Sequence, residues 1–266
     1  MTFSASLASV DGALMLAAAA TIPANDEGLL RGDGIFEVIR VYDGKPFALE
    51  AHLQRLERSA LNLRLALDLE SVRAEAARLL AHAGSGPDHE LLRIVVTRGG
   101  HRILLTEPLP AARERVRLGT VTYSPTRVLD GVKSLSYAAN MLATRVARER
   151  GFDEALLVTP HGHVLEAPTS SIFWVKDGEV FTPPLSNHIL ASITRALVID
   201  TAGASERSCT LDELGQADEA FLTSTTREVQ PVAQIDDHSF NGGEAVSTRV
   251  AAAVSERVRS ELTSAE

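Results

Sequence analysis

Apolar and polar positions alternate with period two over residues 36–42, which predicts a strand with Phe36, Val38 and Arg40 on one face and Glu37, Ile39 and Val41 on the other. The period then lengthens. Leu53, Leu56, Ala60 and Leu63 share one face of a predicted helix over 49–65, and a second amphipathic helix is expected over 70–83. Strands are predicted at 91–97 and 115–123, flanking the turn Arg98-Gly99-Gly100-His101-Arg102. Residues 124–130 read as a connection. Tyr137, Met141, Leu142 and Val146 give a helix over 136–150, with arginines crowding its end and Gly151 as its stop. Short strands at 155–159, 164–167 and 172–175 are separated by Pro160-His161-Gly162 and Pro168-Thr169-Ser170. Ser192 is the expected N-cap of a helix over 193–202. A strand follows at 219–222. The stripe Val246, Val250, Val254 and Val258 gives a closing helix over 244–262, packed on the core.

At 266 residues and 45% hydrophobic content the chain has material for one large domain or two ordinary ones. A net charge of −9 argues against general binding to nucleic acid or anionic membranes. The apolar run over 13–22 lacks a preceding basic residue and follows Asp11, so it is read as an opening strand and connection, not a leader. No run is long enough to span a bilayer. Cys209 is the lone cysteine, which precludes an intrachain disulfide and suits a cytoplasmic location. His161-Gly162-His163 lies on a predicted turn without an acidic or cysteine partner nearby, so no metal is expected. Gly32-Asp33-Gly34 lacks the third glycine of a dinucleotide fingerprint and reads as a tight turn.

Basic residues change the picture. Of the 26, only Lys45, Lys133 and Lys176 are lysines. Lys45 and Lys176 fall in Asp-Gly turns, whereas Lys133 sits between Val132 and Ser134-Leu135, ahead of a helix. Position alone also permits a lysine snorkelling at a helix start. An amine kept in an arginine-rich chain has another use, because arginine cannot form a Schiff base. Glu166 is the one carboxylate in an apolar, small-residue setting, in Val164-Leu165-Glu166-Ala167-Pro168-Thr169-Ser170-Ser171-Ile172-Phe173. Lys133 and that segment together resemble the fold-type IV, or class IV, pyridoxal-phosphate enzymes. These include branched-chain and D-amino-acid aminotransferases, R-selective amine transaminases and aminodeoxychorismate lyase. The resemblance implies that Lys133 carries pyridoxal 5′-phosphate (PLP) and that Glu166 pairs with its pyridine nitrogen.

Further segments resemble the family in the same order. Gly32-Asp33-Gly34-Ile35-Phe36-Glu37 is similar to its N-terminal motif, whose strand lines the substrate pocket; Phe36, Val38 and Arg40 are the residues so implied. Arg31 replaces an aromatic that the family often contributes across a dimer interface. Pattern alone does not choose between Arg55 and Arg58. His52-Leu53-Gln54-Arg55-Leu56 resembles the family's H-x-x-R-L and gives the phosphate-binding role to Arg55. Ser192-Ile193-Thr194-Arg195 resembles G-I-T-R with serine for glycine, which places Ile193 and Thr194 on the phosphate. Ser224-Thr225-Thr226-Arg227-Glu228-Val229 is close to S-T-T-x-E-(V/I), which adds Thr225 and Thr226. Tyr137 is expected to approach the ring hydroxyl.

The fold implied is α/β (α+β), a two-domain fold-type IV enzyme of the D-amino-acid aminotransferase-like kind with PLP in the interdomain cleft. Its expected parts are a smaller N-terminal domain (1–123), the connection 124–130 and a larger PLP-binding domain (131–266), assembled as a homodimer with shared active sites. The leading function is a transaminase moving an amino group between an amino acid or amine and a 2-keto acid. The alternative is aminodeoxychorismate lyase, favoured by the run Lys133-Ser134-Leu135-Ser136-Tyr137-Ala138. Val38 counts against it, because some such lyases carry a proton-donating hydroxyl on that strand. A non-catalytic PLP-binding protein is the third reading.

Overall fold

The computed structural model describes residues 6–240 and 243–264. They form two compact units: the first runs to Ala111 and takes back Gly131–Tyr137, and the second holds Ala112–Asp130 and the chain from Ala138 onward.

The first unit is built on β1 (Leu7–Val10), β2 (Ala13–Leu16), the short helix α1 (Glu27–Arg31), β3 (Gly34–Tyr42), β4 (Lys45–Pro46), helices α2 (Leu49–Leu63) and α3 (Leu69–Ala83), β5 (Leu91–Thr97) and β6 (Arg102–Glu107). Its six strands are ordered β2-β1-β6-β5-β3-β4, with antiparallel pairing throughout. Ile35, Ile39 and Val41 of β3 join Leu92, Ile94 and Leu104 in one core with Leu53, Leu56, Val72 and Leu79 of the two helices. The period-two reading of 36–42 therefore has its core face at Ile39 and Val41.

Gly131–Tyr137 belongs to this unit for a physical reason. It lies alongside β3: Phe36 N donates to the Lys133 carbonyl at 3.0 Å, Leu135 N donates to the Gly34 carbonyl at 2.9 Å, and Lys133 N donates to Ser59 Oγ at 3.1 Å. The Gly-Asp-Gly turn makes room for it. Gly32 ends α1 at φ 68°, and Asp33 pairs with Arg98 at 3.0 and 3.1 Å. A Cβ on Gly34 would stand 2.6 Å from both Leu135 Cδ1 and the Val96 carbonyl oxygen. The predicted boundary had put residues 131–137 in the C-terminal domain; backbone pairing with β3 holds them in the first unit instead.

The second unit holds β7 (Val116–Thr122), α4 (Ala138–Glu149), β8 (Glu154–Val158), β9 (Ser171–Lys176), β10 (Glu179–Thr182), α5 (Ile193–Ala202), β11 (Ser205–Glu206), α6 (Leu211–Leu214), β12 (Glu219–Ser224), β13 (Glu228–Ile235), β14 (His238–Ser239) and α7 (Ala245–Ser264). Its main sheet runs β11-β10-β9-β12-β13-β7-β8, with β14 on β13. Ile172, Trp174, Ala220 and Leu222 pack on one side with Cys209 and Leu214. On the other, Phe173 and Phe221 stack at 5.2 Å, and Glu219 accepts from Val246 N and Ser247 N at 2.9 and 2.8 Å, capping α7. Val250, Val254 and Val258 are buried along α7, as the stripe required.

Three expected elements differ. The turn after β5 leads straight back into β6, because Ile103, Leu104 and Leu105 pair with β5. Residues 164–167 are not a strand. They make single bridges from Val164 to Val158 and from Ala167 to Ser170, and Leu165 and Glu166 both bond to Leu157, a local bulge that interrupts a regular ladder. The helix expected from 136 begins at Ala138: Ser134 and Leu135 pair with β3, and Ser136 N and Tyr137 N bond back to Ser134 Oγ and the Leu135 carbonyl.

Candidate active site

In the first unit the sequence-predicted residues gather around β3. Lys133 Nζ stands 4.4 Å from the Phe36 ring centroid and 5.7 Å from that of Tyr137. The two rings meet edge to face at 5.3 Å and 87°. The amine is thus set among aromatic faces by a backbone that is itself hydrogen-bonded to β3. Val38 is half-buried, opposite Arg93 on β5. Arg40 reaches Glu90 at 3.5 Å and lies 5.1 Å over Tyr42, and its buried Nε has no hydrogen-bond partner among the described residues. Arg31 is exposed in the last turn of α1.

Structure separates the two arginines of α2 that pattern could not. Arg58 is exposed, whereas Arg55 is buried at 5% exposure. Arg55 donates from Nε and Nη2 to the two oxygens of Glu37 at 2.7 and 2.6 Å, and His52 Nδ1 lies 2.8 Å from Glu37 Oε2. Burial alone would raise the Glu37 carboxyl, but the bonds and charge of Arg55, then of His52, hold it down at about 2. Burial pushes His52 below its usual value, and Glu37 offsets this in part. The sequence reading placed Glu37 on the Ile39 and Val41 face without assigning it a role. Its signal was a carboxylate on a core-facing strand position. Arg93 was likewise missed: an arginine within a period-two strand, it forms a two-point pair with Glu107 at 2.8 and 2.9 Å.

In the second unit, Glu166 is half-buried after the bridge at Val164, and its Oε1 accepts from Leu190 N at 3.2 Å. The ring of Tyr123 is near enough that burial, and then the Glu166 charge, raises its hydroxyl pKa. Ser192 caps α5 by accepting from Arg195 N at 3.2 Å, and Thr194 is buried in the first turn. Helix geometry leaves the N–H groups of Ile193 and Thr194 without intrahelical acceptors. Thr225 and Thr226 lie on the turn from β12 to β13, with Thr226 Oγ1 3.2 Å from Ser224 Oγ.

These surroundings fit a phosphate-bearing cofactor. Ser171 Oγ and Thr223 Oγ1, cross-strand partners on β9 and β12, are buried without hydrogen-bond partners among the described residues. Orphaned hydroxyls on the sheet face that carries Phe173 and Phe221, where α5 also packs, are donors suited to an anion. Within the second unit, these hydroxyls and the first-turn N–H groups of α5 are donors of the kind a phosphate arm requires. Among the described residues no cluster of histidine, cysteine and acidic side chains could hold a metal ion.

Comparison with known proteins agrees with this chemistry. The profile of the family described as "Amino-transferase class IV" matches residues 34–235. A Methanocaldococcus jannaschii protein carrying a branched-chain-amino-acid aminotransferase assignment is 36% identical over 239 residues, covering 81% of this chain and 83% of that protein. D-alanine aminotransferase of Listeria innocua is 33% identical over 243 residues, covering 82% and 83%. Among solved structures, a hypothetical aminotransferase of Mycobacterium tuberculosis with alpha-ketoglutarate and PMP bound superposes with a TM-score of 0.88 at 26% identity, covering 96% of this chain and 99% of that one. The same protein is also known in a PLP-bound form.

Proposed function

The chain belongs to the class IV aminotransferases, and we propose how its own residues carry out that family's reaction. It is a PLP-dependent transaminase acting on an amino acid or amine and a keto acid. The observation that most supports the residue roles is the seating of Lys133, one of three lysines, over Phe36 and Tyr137.

PLP, when bound, supplies an electron-poor ring that stabilises the negative charge left on the substrate Cα. Lys133 would hold it covalently through Nζ and, once the substrate amine has taken its place on the aldehyde carbon, would carry the proton from the substrate Cα. Glu166 would face the pyridine nitrogen and help hold a proton on that atom. Arg55, the N–H groups of Ile193 and Thr194, and the hydroxyls of Thr194, Thr225 and Thr226 hold the phosphate, which fixes the ring. Tyr137 orients the ring hydroxyl. Phe36 and Val38 shape the substrate's space, and Arg40 and Arg31 supply cationic partners for a carboxylate.

Homodimer formation and a cytoplasmic location belong to the same reading. Leu29 and Leu30, at 61% and 62% exposure beside Arg31 on α1, support an association surface. Among the described residues no helix is long and apolar enough to cross a membrane.

The transaminase reading leads the lyase because the relatives carry aminotransferase names and Val38 has no proton to give an enolpyruvate leaving group. A half-reaction screen tests it: loss of the yellow absorbance is followed with L-amino acids, D-amino acids and simple R-amines, and aminodeoxychorismate is supplied in parallel. Amino-group exchange with at least one donor class is expected. Efficient 4-aminobenzoate release without any exchange would replace the transaminase with the lyase.

A further inference from the structure

Arg55 is a buried cation whose orientation is set by its neighbours. The carboxylate of Glu37 is fully buried, at 0% exposure, and engages one edge of the guanidinium side-on, through Nε at 2.7 Å and Nη2 at 2.6 Å. Such a two-point contact fixes the plane of the guanidinium as well as its position. His52 closes the arrangement from the same face of α2, its Nδ1 2.8 Å from Glu37 Oε2. His52 is 2% exposed and sits one turn before Arg55 on the same helix. Glu37 itself is immobilised by β3, whose register with β5 pairs it with Ile94.

From this geometry we infer that Glu37 is a positioning residue for the cofactor phosphate: it acts through Arg55, and His52 holds it in place. The inference rests on the reading of Arg55 as a phosphate-binding residue. Two effects of opposite sign are at work. Glu37 offsets part of the Arg55 charge, which by itself weakens attraction for a phosphate dianion. It also keeps a long side chain in one rotamer and one plane, which removes an ordering cost from cofactor binding. The second effect dominates in a buried site, because an arginine stripped of its counter-ion there turns toward other acceptors or water.

The test compares two probes on the full-length protein, PLP and pyridoxal, which lacks the phosphate. Dissociation constants are measured for wild type, Glu37→Gln, His52→Asn and Arg55→Ala, with circular dichroism melts of each apoprotein as the check on folding. Glu37→Gln is expected to weaken PLP by about 10- to 100-fold, the scale on which partners standing behind a ligand contact act, while pyridoxal affinity stays within about twofold. His52→Asn is expected to shift PLP the same way by a smaller factor. Equal weakening of both probes would show that Glu37 serves only the fold, and unchanged or tighter PLP would show that it is only a counter-charge; either overturns the inference. Arg55→Ala separates the two layers. If it fails to discriminate PLP from pyridoxal, the phosphate role of Arg55 falls; if it discriminates and Glu37→Gln does not, only the positioning role falls.

Discussion

The roles proposed for Glu166 and Arg55 are ones that substitution would separate. Glu166→Gln removes the charge that keeps the pyridine nitrogen protonated and leaves the phosphate contacts in place, so cofactor is retained while most of the rate is lost. Arg55→Ala has the opposite effect, weakening cofactor retention by about 2–4 kcal/mol, the cost of losing a buried charge-assisted contact. Measured cofactor dissociation rates distinguish the pair, and equal loss in both variants would mean the roles are divided wrongly. The buried group around Glu37 also sets an acid limit on the fold. Buried His52 resists protonation below its usual value of 6.5, so the unfolded chain binds the extra proton and stability declines as pH falls through that value. Glu37 adds a second decline below the ordinary carboxylate value of 4.5, continuing to about 2. Urea unfolding between pH 8 and pH 3 should show both slopes, and Glu37→Gln should make the lower one shallower. Lys133, Glu166 and Arg55 stand out in the sequence as candidates because each belongs to a recognisable motif. The Glu37 pairing was not, because a carboxylate on a strand says nothing of which helix residue will meet it.

Elements that carry these residues were legible where the apolar period is long and regular. Strand β3 and helices α2 and α3 lie within two residues of their predicted bounds. Strand β6 was not legible because the glycine turn reads as the end of the pairing, although Ile103, Leu104 and Leu105 carry it on. The helix read from residue 136 begins later because Lys133 and Leu135 bond to β3 and residues 136 and 137 close a turn behind them, a long-range choice that local pattern does not encode. This docking depends on Gly34. Gly34→Ala forces a Cβ to within 2.6 Å of Leu135 and of the Val96 carbonyl, and backbone on one side leaves little room to relax. A loss of about 1–3 kcal/mol is expected in thermal unfolding, together with weaker PLP capture, since Lys133 rides on the displaced segment. A variant with wild-type melting and full PLP binding would show that the segment does not depend on this close approach.

At the scale of the whole molecule, the α/β class and two-part organisation were legible, whereas the return of residues 131–137 to the first unit was not. Association is the other property at this scale. Leu30→Asp, placed on the exposed apolar pair of α1, is expected to shift sedimentation toward monomer and to reduce activity in parallel. Unchanged sedimentation would remove α1 from the proposed dimer surface. Above all, the account requires that one lysine of three carry the cofactor. Borohydride reduction of the purified protein, followed by mass mapping of its peptides, tests this directly. A reduced cofactor adduct on Lys133, absent together with all turnover in Lys133→Ala, is the predicted result. An adduct on Lys45 or Lys176, or none on any lysine, would contradict it.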